Sequence, residues 1–216
     1  MTRKGDMTPT HSNADSLDDG RLSAPAAVRN ASAIVAALAD WLPASGRALE
    51  IAAGTGEHAV ALARANPGLD WQPTDIDPAR LASIDAWRAA EGVKNMRVAV
   101  VLDATTPDWT VEPVRVVYLA NLMHLLPEIG ATNVVRGAAR ALEAGGQFCV
   151  YGPFRLGGTF RSEGDAAFHA RLTAAEPSIG YKDFEWIETV AAKAGLNRVA
   201  LIEMPANNLV AIFKKP

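Results

Sequence analysis

One strand–turn–helix pattern constrains the fold of this chain more than any other feature. The stretch Ala48-Leu-Glu-Ile-Ala-Ala-Gly-Thr-Gly-Glu57 begins with the composition of a buried strand and turns through Gly54 and Gly56 into a helix. Glycine permits a tight turn and lets a ligand approach the backbone N–H groups. A second strand ends about twenty residues later on Asp75, the position from which nucleoside-binding α/β sheets hold a ribose diol. The pattern predicts an adenosine-containing cofactor.

The glycines alone do not distinguish S-adenosylmethionine (SAM) from NAD, because Gly54-x-Gly56-x-x-Ala59 also satisfies a loose dinucleotide pattern. Two acidic residues favour SAM. Glu50 lies inside the first strand, where NAD-binding strands are usually apolar, and Asp103 ends a third strand, from which it would reach the adenine amino group. The chain also has no Tyr-x-x-x-Lys pair of the short-chain dehydrogenase kind. We expect SAM, and an NAD-dependent oxidoreductase is the alternative.

Strand-like and helix-like stretches alternate from Arg47 onwards, which is typical of βαβ units and a parallel sheet. The last two strands flank Pro205-Ala-Asn-Asn208, which is too short for a crossover helix, so they must pair antiparallel. We therefore expect an α/β, Rossmann-like class I methyltransferase fold with a mostly parallel seven-stranded sheet and a C-terminal antiparallel hairpin. The predicted strands are 48–52, 70–74, 97–102, 114–120, 147–151, 198–204 and 209–214, and the predicted helices between them are 57–65, 78–90, 132–142 and 184–194.

The composition fits one globular domain. The chain has 216 residues, of which 49% are hydrophobic, and a formal net charge of −3, which gives no general attraction to nucleic acid or to an anionic membrane. No apolar run approaches the roughly 18 residues of a membrane span, and the single cysteine, Cys149, fits a reducing compartment. We expect a cytoplasmic monomer or homodimer, with residues 1–22 as a mobile tail and residues 23–216 as a single methyltransferase domain.

The predicted carboxyl ends of the strands supply the candidate cofactor site, because open α/β sheets bind their ligands there. Arg29, in a predicted helix that begins near Pro25, would pair with the SAM carboxylate, and its alternative is an exposed arginine. Asn121 would contact the amino-acid end of SAM, and its alternative is a cap on the strand. The full set of expected cofactor contacts is Arg29, Glu50, Ala52, Gly54, Gly56, Asp75, Ile76, Asp103, Ala104 and Asn121.

Two residues are candidate catalysts. Methyl transfer from SAM is an in-line displacement on an activated carbon, so a protein mainly has to align the reactants and exclude water. His124 follows the fourth strand, and histidine is suited to accept a proton near neutral pH. Tyr151 closes the fifth strand and would face the sulfonium or the acceptor. A packed histidine and a structural strand tyrosine are the alternative interpretations.

The segment after the fifth strand is predicted to cover the acceptor pocket. It leaves Tyr151 through glycine and proline and runs to about Lys182, longer than an ordinary connection, so it is functional or contains its own short helix. Phe154 is expected to touch the substrate, with His124 beneath. Asn207 is expected to form the hairpin turn, because asparagine tolerates positive φ, and to line the site.

Other classes of function fit the sequence less well. The histidines and acids form no recognisable ligand set, so no metal site is predicted. A nucleic-acid methyltransferase is disfavoured, because Asn121-Leu-Met-His124 stands where base-amine enzymes carry Asn/Asp-Pro-Pro-Tyr/Phe. A non-catalytic SAM-binding module stays open, since no residue is compelled to be a catalyst. We expect a small-molecule acceptor, and the sequence does not say whether O, N, S or C receives the methyl group.

Several motifs together resemble the domain of unknown function 938 family of SAM-dependent methyltransferases. The most specific are Tyr151-Gly-Pro-Phe154 and Met204-Pro-Ala-Asn-Asn208, and Leu49-Glu-Ile-Ala-Ala-Gly-Thr-Gly-Glu-His58 is less specific. The resemblance covers roughly residues 24–214, implies the methyltransferase fold and SAM binding, and leaves the substrate open. The chain departs from the family pattern at Val28, Gly164-Asp165 and His169, so the specificity of relatives does not carry over.

Overall fold

A seven-stranded sheet with helices on both faces forms the frame of the molecule, in a computed structural model that describes residues 14–216. In chain order the elements are β1 (Asp15–Ser16), β2 (Leu22–Ser23), α1 (Pro25–Leu38), β3 (Gly46–Ile51), α2 (Glu57–Ala65), β4 (Leu69–Asp75), α3 (Pro78–Glu91), β5 (Val100–Val101), β6 (Val114–Ala120), α4 (Glu128–Ala141), β7 (Leu142–Pro153), α5 (Glu163–Ala175), α6 (Phe184–Lys193), β8 (Asn197–Glu203) and β9 (Asn208–Lys214). Two 3-10 turns, Met123–Leu125 and Pro205–Asn207, complete the list.

The strand order is β5-β4-β3-β6-β7-β9-β8. The strands β3, β4, β5, β6 and β7 are parallel to one another. β9 runs antiparallel to both β7 and β8. This order confirms the predicted fold class, including the antiparallel hairpin at the end of the chain. Because the parallel strands share one direction, the residues that follow β3, β4, β5, β6 and β7 meet at one edge of the sheet.

The two faces of the sheet carry separate apolar layers. On one face, α4 and α6 pack against alternate strand residues such as Val117 and Phe148. On the other face, α1, α2 and α3 pack against Trp71, Tyr118 and Cys149. Cys149 is a free, fully buried thiol, and burial raises its pKa to about 12, so it is an inert core residue. Within residues 14–216, no helix is both long and apolar enough to cross a membrane.

The third predicted strand is much shorter than expected. The β-branched run predicted a strand over 97–102, but only Val100–Val101 pairs as β5. The N–H of Arg97 still donates to Trp71 of β4 (2.8 Å), but the N–H of Ala99 donates to the Asp85 carboxylate of α3, which interrupts the pairing. The edge strand of the sheet is therefore only two residues long, and Asp103 follows shortly after it.

The N-terminal segment differs from the mobile tail predicted for residues 1–22, of which residues 1–13 lie outside the described part. β1 pairs with β2 in a small antiparallel hairpin. The N–H of Leu22 donates to the Ser83 hydroxyl of α3 (2.8 Å), and its carbonyl accepts from the Trp87 indole (2.8 Å). The Arg21 guanidinium lies 4.4 Å from the centre of the Trp87 ring system. The hairpin is thus attached to α3.

The same segment is also bound to the glycine turn. The Ser83 hydroxyl donates to the carbonyl of Thr55 (2.7 Å), between the two glycines. The N–H of Ala24, just before α1, donates to the Glu57 carboxylate at the start of α2 (2.7 Å). α1 is therefore positioned by contacts with the turn that the sequence assigns to the cofactor.

We predict that Ser83→Ala loosens this attachment. The buried hydroxyl bridges the Leu22 N–H and the Thr55 carbonyl, so its removal should lower the free energy of unfolding by about 1–3 kcal/mol. Urea denaturation measures the change. Ser178→Ala, which removes an exposed hydroxyl on the same chain, is the control and should change little. Equal stability of Ser83→Ala and the natural protein would contradict the bridging role.

Candidate cofactor and active site

Most of the sequence-predicted site residues meet at the carboxyl edge of the parallel strands. The glycine turn follows β3, and Asp75 ends β4 beside it. Asn121 and His124 follow β6, and the register places Ala120 opposite Tyr151 of β7. The sheet topology therefore brings together residues that are up to about a hundred positions apart in the chain.

The turn after β3 has the backbone that its glycines predicted. Gly54 and Gly56 have φ values of 64° and 109°, a region that glycine adopts without steric cost. A Cβ on Gly56 would lie 3.0 Å from the Cα of Ile84, so the turn also packs closely on α3. Gly56 is the residue before the first turn of α2, whose N-terminal N–H groups consequently face the edge of the sheet.

Asp75 ties this turn to the end of β4. Its Oδ2 accepts from the N–H of Gly54 (2.9 Å), and its Oδ1 accepts from the N–H groups of Ile76 (2.8 Å) and Asp77 (3.1 Å). A carboxylate offers about four lone-pair positions, so Oδ2 keeps one for a further donor. Beside this nearly buried carboxylate, Ile76 is 62% exposed, an unusual position for a large apolar side chain.

Two residues other than glycine hold left-handed backbone at the same edge. Ala52, which follows β3, has φ of 51°, and Asn121, which follows β6, has φ of 55°. Residues with a Cβ rarely adopt this region, and such strain clusters at functional sites. The chain thus bends where it leaves β3 and β6, two neighbouring strands of the sheet.

Glu50 lies beneath the turn and does not face the crevice. Its side chain is 1% exposed, and its carboxyl group accepts from the indole N–H of Trp71 (2.6 Å). Burial raises the pKa of Glu50 to about 8, and the nearby Asp75 charge adds to this shift. The expectation of a direct cofactor contact is therefore corrected: the neutral Glu50 belongs to the α1–α3 face of the core.

Asp103 and Ala104 follow β5 as expected. Asp103 Oδ1 accepts from the backbone N–H (2.9 Å) and the hydroxyl (2.6 Å) of Thr105, so one oxygen holds its own turn. Ala104 is buried next to it. The second oxygen of Asp103 is the one with capacity for a ligand.

Tyr151 belongs to a polar cluster beneath α1. Its hydroxyl accepts from the side-chain nitrogen of Asn30 (3.3 Å), and the Asn30 side-chain oxygen lies 2.6 Å from His58 Nε2. Burial raises the pKa of Tyr151 and lowers that of His58 to about 4, so both are neutral at physiological pH. Arg29 is the neighbour of Asn30 on α1, and its side chain is exposed.

His124 is covered by the segment that follows β7. Its imidazole is 7% exposed and makes edge contacts with the rings of Phe168 and Tyr181, each 5.9 Å between centroids. Its carbonyl accepts from the N–H of Gly180 (2.9 Å). The predicted cover over His124 is present as α5 and the loop after it.

Phe154 is not where a substrate contact is expected. It is 2% exposed and packs edge-on against Phe184 of α6, with centroids 5.8 Å apart. The glycine and proline around it indicated a loop, but the apolar ring is drawn into the α4–α6 core. Phe154 is therefore a core residue, and the expectation is corrected.

Asn207 forms part of the hairpin turn and also contacts α5. Ala206 and Asn207 have φ values of 56° and 59°, so Asn207 adopts the positive φ that was predicted. Its side-chain nitrogen donates to Asp165 Oδ2 (3.2 Å), and Asp165 also accepts from the Ser162 and Tyr181 hydroxyls. Asn207 thus holds the covering segment, α5 and the loop after it, against the hairpin.

Sequence reasoning missed the residues that act through long-range contacts. Asn30, His58 and Glu57 join α1 to α2, and Asp165 joins α5 to the hairpin. The sequence offered one signal for these residues, since Glu57 is an acidic residue at the predicted start of a helix. Within residues 14–216, no group of three or more His, Cys, Asp and Glu side chains is placed to hold a metal ion.

The family model described as "Protein of unknown function (DUF938)" matches residues 21–215, nearly the whole described chain. The chain belongs to this family. The matched range includes the glycine turn, the covering segment and the C-terminal hairpin.

Solved structures share the fold. An O-methyltransferase family protein from Burkholderia thailandensis superposes with a TM-score of 0.75 at 18% identity, over 88% of this chain and 57% of that one. The calicheamicin-biosynthesis methyltransferase CalO1, with S-adenosylhomocysteine (SAH) bound, gives 0.70 at 18%, over 88% and 54%. An O-methyltransferase family 2 protein from Planctomyces limnophilus, in complex with apigenin, gives 0.71 at 19%, over 86% and 62%. The chain spans little more than half the length of these proteins. Their likeness confirms a class I methyltransferase fold.

We predict that Glu50 makes stability depend on pH. Its folded pKa of about 8 exceeds its ordinary value of 4.5, so unfolding releases a proton between these two pH values. Stability from this group is complete below pH 4.5 and is lost as the pH rises to 8, by on the order of 4 kcal/mol. Glu50→Gln, which keeps an acceptor for Trp71, should abolish this part of the slope.

Urea denaturation at a series of pH values from 5 to about 8.5 measures the difference between the two proteins. Glu112→Gln, which neutralises a mostly exposed carboxylate, is the matched control and should leave the slope unchanged. If Glu50→Gln and the natural protein give parallel curves, Glu50 is ionised in the fold.

Proposed function

We propose that this protein is a SAM-dependent methyltransferase that acts on a small-molecule acceptor by in-line methyl transfer. The observation that carries the proposal is the Asp75 carboxylate, which holds the glycine turn and keeps capacity for another donor beside the exposed Ile76. A ribose diol supplies such a donor, and an adenine ring accounts for an apolar side chain left at the surface.

Apart from Glu50, the predicted contacts with SAM would surround this carboxylate. Ile76 and Ala104 would flank the adenine, with the second oxygen of Asp103 near its amino group. The glycine turn, the start of α2 and the bend at Asn121 would receive the amino-acid end. Arg29, exposed on α1 beside Asn30, would pair with the carboxylate of SAM.

SAM, when bound, supplies a methyl group already activated on a sulfonium. The chain's part is to align the acceptor and exclude water, and the cover over His124 serves that purpose. His124 is the candidate proton acceptor for a protonated nucleophile. Tyr151, whose pKa burial raises, stays a neutral phenol and would act as a hydrogen-bond donor, not as a base.

The class of acceptor is supported by the structural neighbours. One of them carries SAH and another was crystallised with the small molecule apigenin. The antiparallel β8–β9 hairpin is typical of class I methyltransferases and unusual for NAD-binding domains, so it also argues against the NAD-dependent oxidoreductase.

The test is an assay with isotope-labelled SAM against a mixture of cell metabolites, read by mass spectrometry. We expect one small molecule to gain a labelled methyl group and SAH to accumulate. Calorimetric titration with SAM, SAH and NAD accompanies it. Binding of SAM without transfer to any acceptor would favour the non-catalytic module, and binding of NAD in place of SAM would overturn the proposal.

We predict that Asp75→Asn weakens SAM binding about tenfold to a hundredfold, or about 1.5–3 kcal/mol for a hydrogen bond to a charged group. The amide also places a donor against the N–H groups that now bind the carboxylate. Isothermal titration calorimetry measures the affinity.

The matched control is Asp70→Asn, which alters an exposed ion pair with Arg97 at the other end of β4. It should bind SAM as the natural protein does. If Asp75→Asn keeps full affinity, SAM does not occupy this end of β4.

A further inference from the structure

A cleft of about 480 Å³ lies apart from the strand ends, between α5, α6 and the start of α4. We call it the lid cleft and define it by Arg155, His169, Ile179, Tyr181, Lys182 and Trp186. None of the residues assigned to SAM lines it. Its volume is in the range of small-molecule sites.

Within residues 14–216, the buried Lys182 forms no ion pair. Its side chain lines the lid cleft although the residue is only 7% exposed, and its ammonium donates to the carbonyls of Leu126 (2.7 Å) and Gly180 (2.9 Å). No carboxylate among the described residues lies within 4.0 Å of it. Buried charges are normally paired, and burial lowers the pKa of this ammonium. One of its three N–H groups is left for a ligand.

His169 adds a second, neutral donor. Its Nδ1 accepts from the backbone N–H of Tyr181 (3.0 Å), so the neutral ring carries its hydrogen on Nε2. Burial lowers the pKa of His169, and the charges of Arg155 and Lys182 add to this, so the ring is neutral at physiological pH. The imidazole therefore offers one fixed N–H on the wall of the lid cleft.

The other charges around the cleft do not satisfy Lys182. Arg155 and Asp183 pair with each other (2.8 Å), although the charge of Arg155 still lowers the pKa of Lys182. The charge of Glu128, at the rim, raises that pKa, but Glu128 is exposed, so solvent screens its charge. The wall of the cleft thus combines an ammonium that forms no ion pair within residues 14–216 with a neutral donor.

We propose that the lid cleft binds a small organic anion. Its carboxylate or phosphate group would accept from Lys182 and His169, and its apolar body would lie against Ile179 and Trp186. This site is separate from the proposed SAM site and does not depend on methyl transfer.

The test uses benzoate and phenyl phosphate as probes, with benzyl alcohol and benzylamine as uncharged and cationic controls of similar size. We expect at least one of the two anions to bind saturably by calorimetry and to shift the indole N–H resonance of Trp186, which Trp186→Phe identifies. The anion that binds more tightly assigns the group as carboxylate or phosphate. The controls should not shift this resonance.

Lys182→Met should weaken the anion about tenfold to a hundredfold, the effect of losing a charged hydrogen bond. Lys193→Met, which removes an exposed lysine at the end of α6, is the matched control and should bind normally. His169→Asn keeps an acceptor for the Tyr181 N–H but lacks the Nε2 donor, so it tests the site if Lys182→Met does not fold. It should also bind more weakly.

Four results would overturn the proposal, and the first three concern the probes and the variants. Neither anion shifts the Trp186 resonance, benzyl alcohol binds as tightly as the anions, or the folded variants bind as tightly as the natural protein. Displacement of the anion by SAH would place the anion in the SAM site and would also overturn it. Failure of SAM to bind leaves this test unaffected, so the two proposals fail separately.

Discussion

The Asp75 carboxylate fixes the geometry at the carboxyl edge of the sheet. It is nearly buried, and a buried carboxylate is costly unless hydrogen bonds satisfy it. The N–H groups of Gly54, Ile76 and Asp77 therefore have to point at it, which sets the turn after β3 against the turn after β4. A backbone bond from Ala53 to Thr74 supports the same arrangement. The turns after β3 and β4 are therefore bound to each other at this edge of the sheet.

The glycine turn is also held from its outer side. Glu57 accepts from the Thr55 hydroxyl and from the N–H of Ala24, and Ser83 bridges Thr55 to Leu22. One short turn thus receives contacts from β4, from α3 and from the segment before α1. The helix α1 precedes the first strand of the large sheet and does not connect two of its strands. The contacts with the turn explain how α1 is held over the sheet edge, where Asn30 bonds to Tyr151.

Local sequence patterns predicted the helices and strands that do not depend on contacts with distant parts of the chain. The strand Val114–Ala120 and the helix Glu57–Ala65 have the predicted bounds. The strand is a short apolar run that is buried on both faces of the sheet, and such a run between helical stretches predicts a central parallel strand. The strand at 97–102 has the same β-branched composition but is interrupted by Asp85, a contact that sequence cannot show. The hairpin before α1 depends on Ser83 and Trp87, more than sixty positions away, and its polar composition indicated only a tail.

Site residues divide in the same way. Asp75 and the glycines are positioned by backbone geometry, which the motif encodes, and the structure places them as expected. Glu50 shows the limit of the motif as a guide to cofactor contacts. Successive side chains of a strand point to opposite faces, and the motif does not reveal that Glu50 points into the core towards Trp71. The glycine and proline beside Phe154 indicated an exposed loop. In the structure the Phe154 ring is buried and packs against Phe184. Lys182 belongs to no sequence motif. Its place in the lid cleft and its bonds to the carbonyls of Leu126 and Gly180 arise only in the fold.

The contacts of Asp165 couple two ends of the fold that are far apart in sequence. This carboxylate holds Ser162, Tyr181 and Asn207, and the neighbouring Arg161 pairs with Glu203 and reaches the carbonyls of the hairpin turn. Among these contacts, the bond from Asn207 to Asp165 and the contacts of Arg161 join the cover to the hairpin, so lifting the cover would break them together. The β8–β9 hairpin thus restrains the cover over His124, although it lies far from that histidine in the chain.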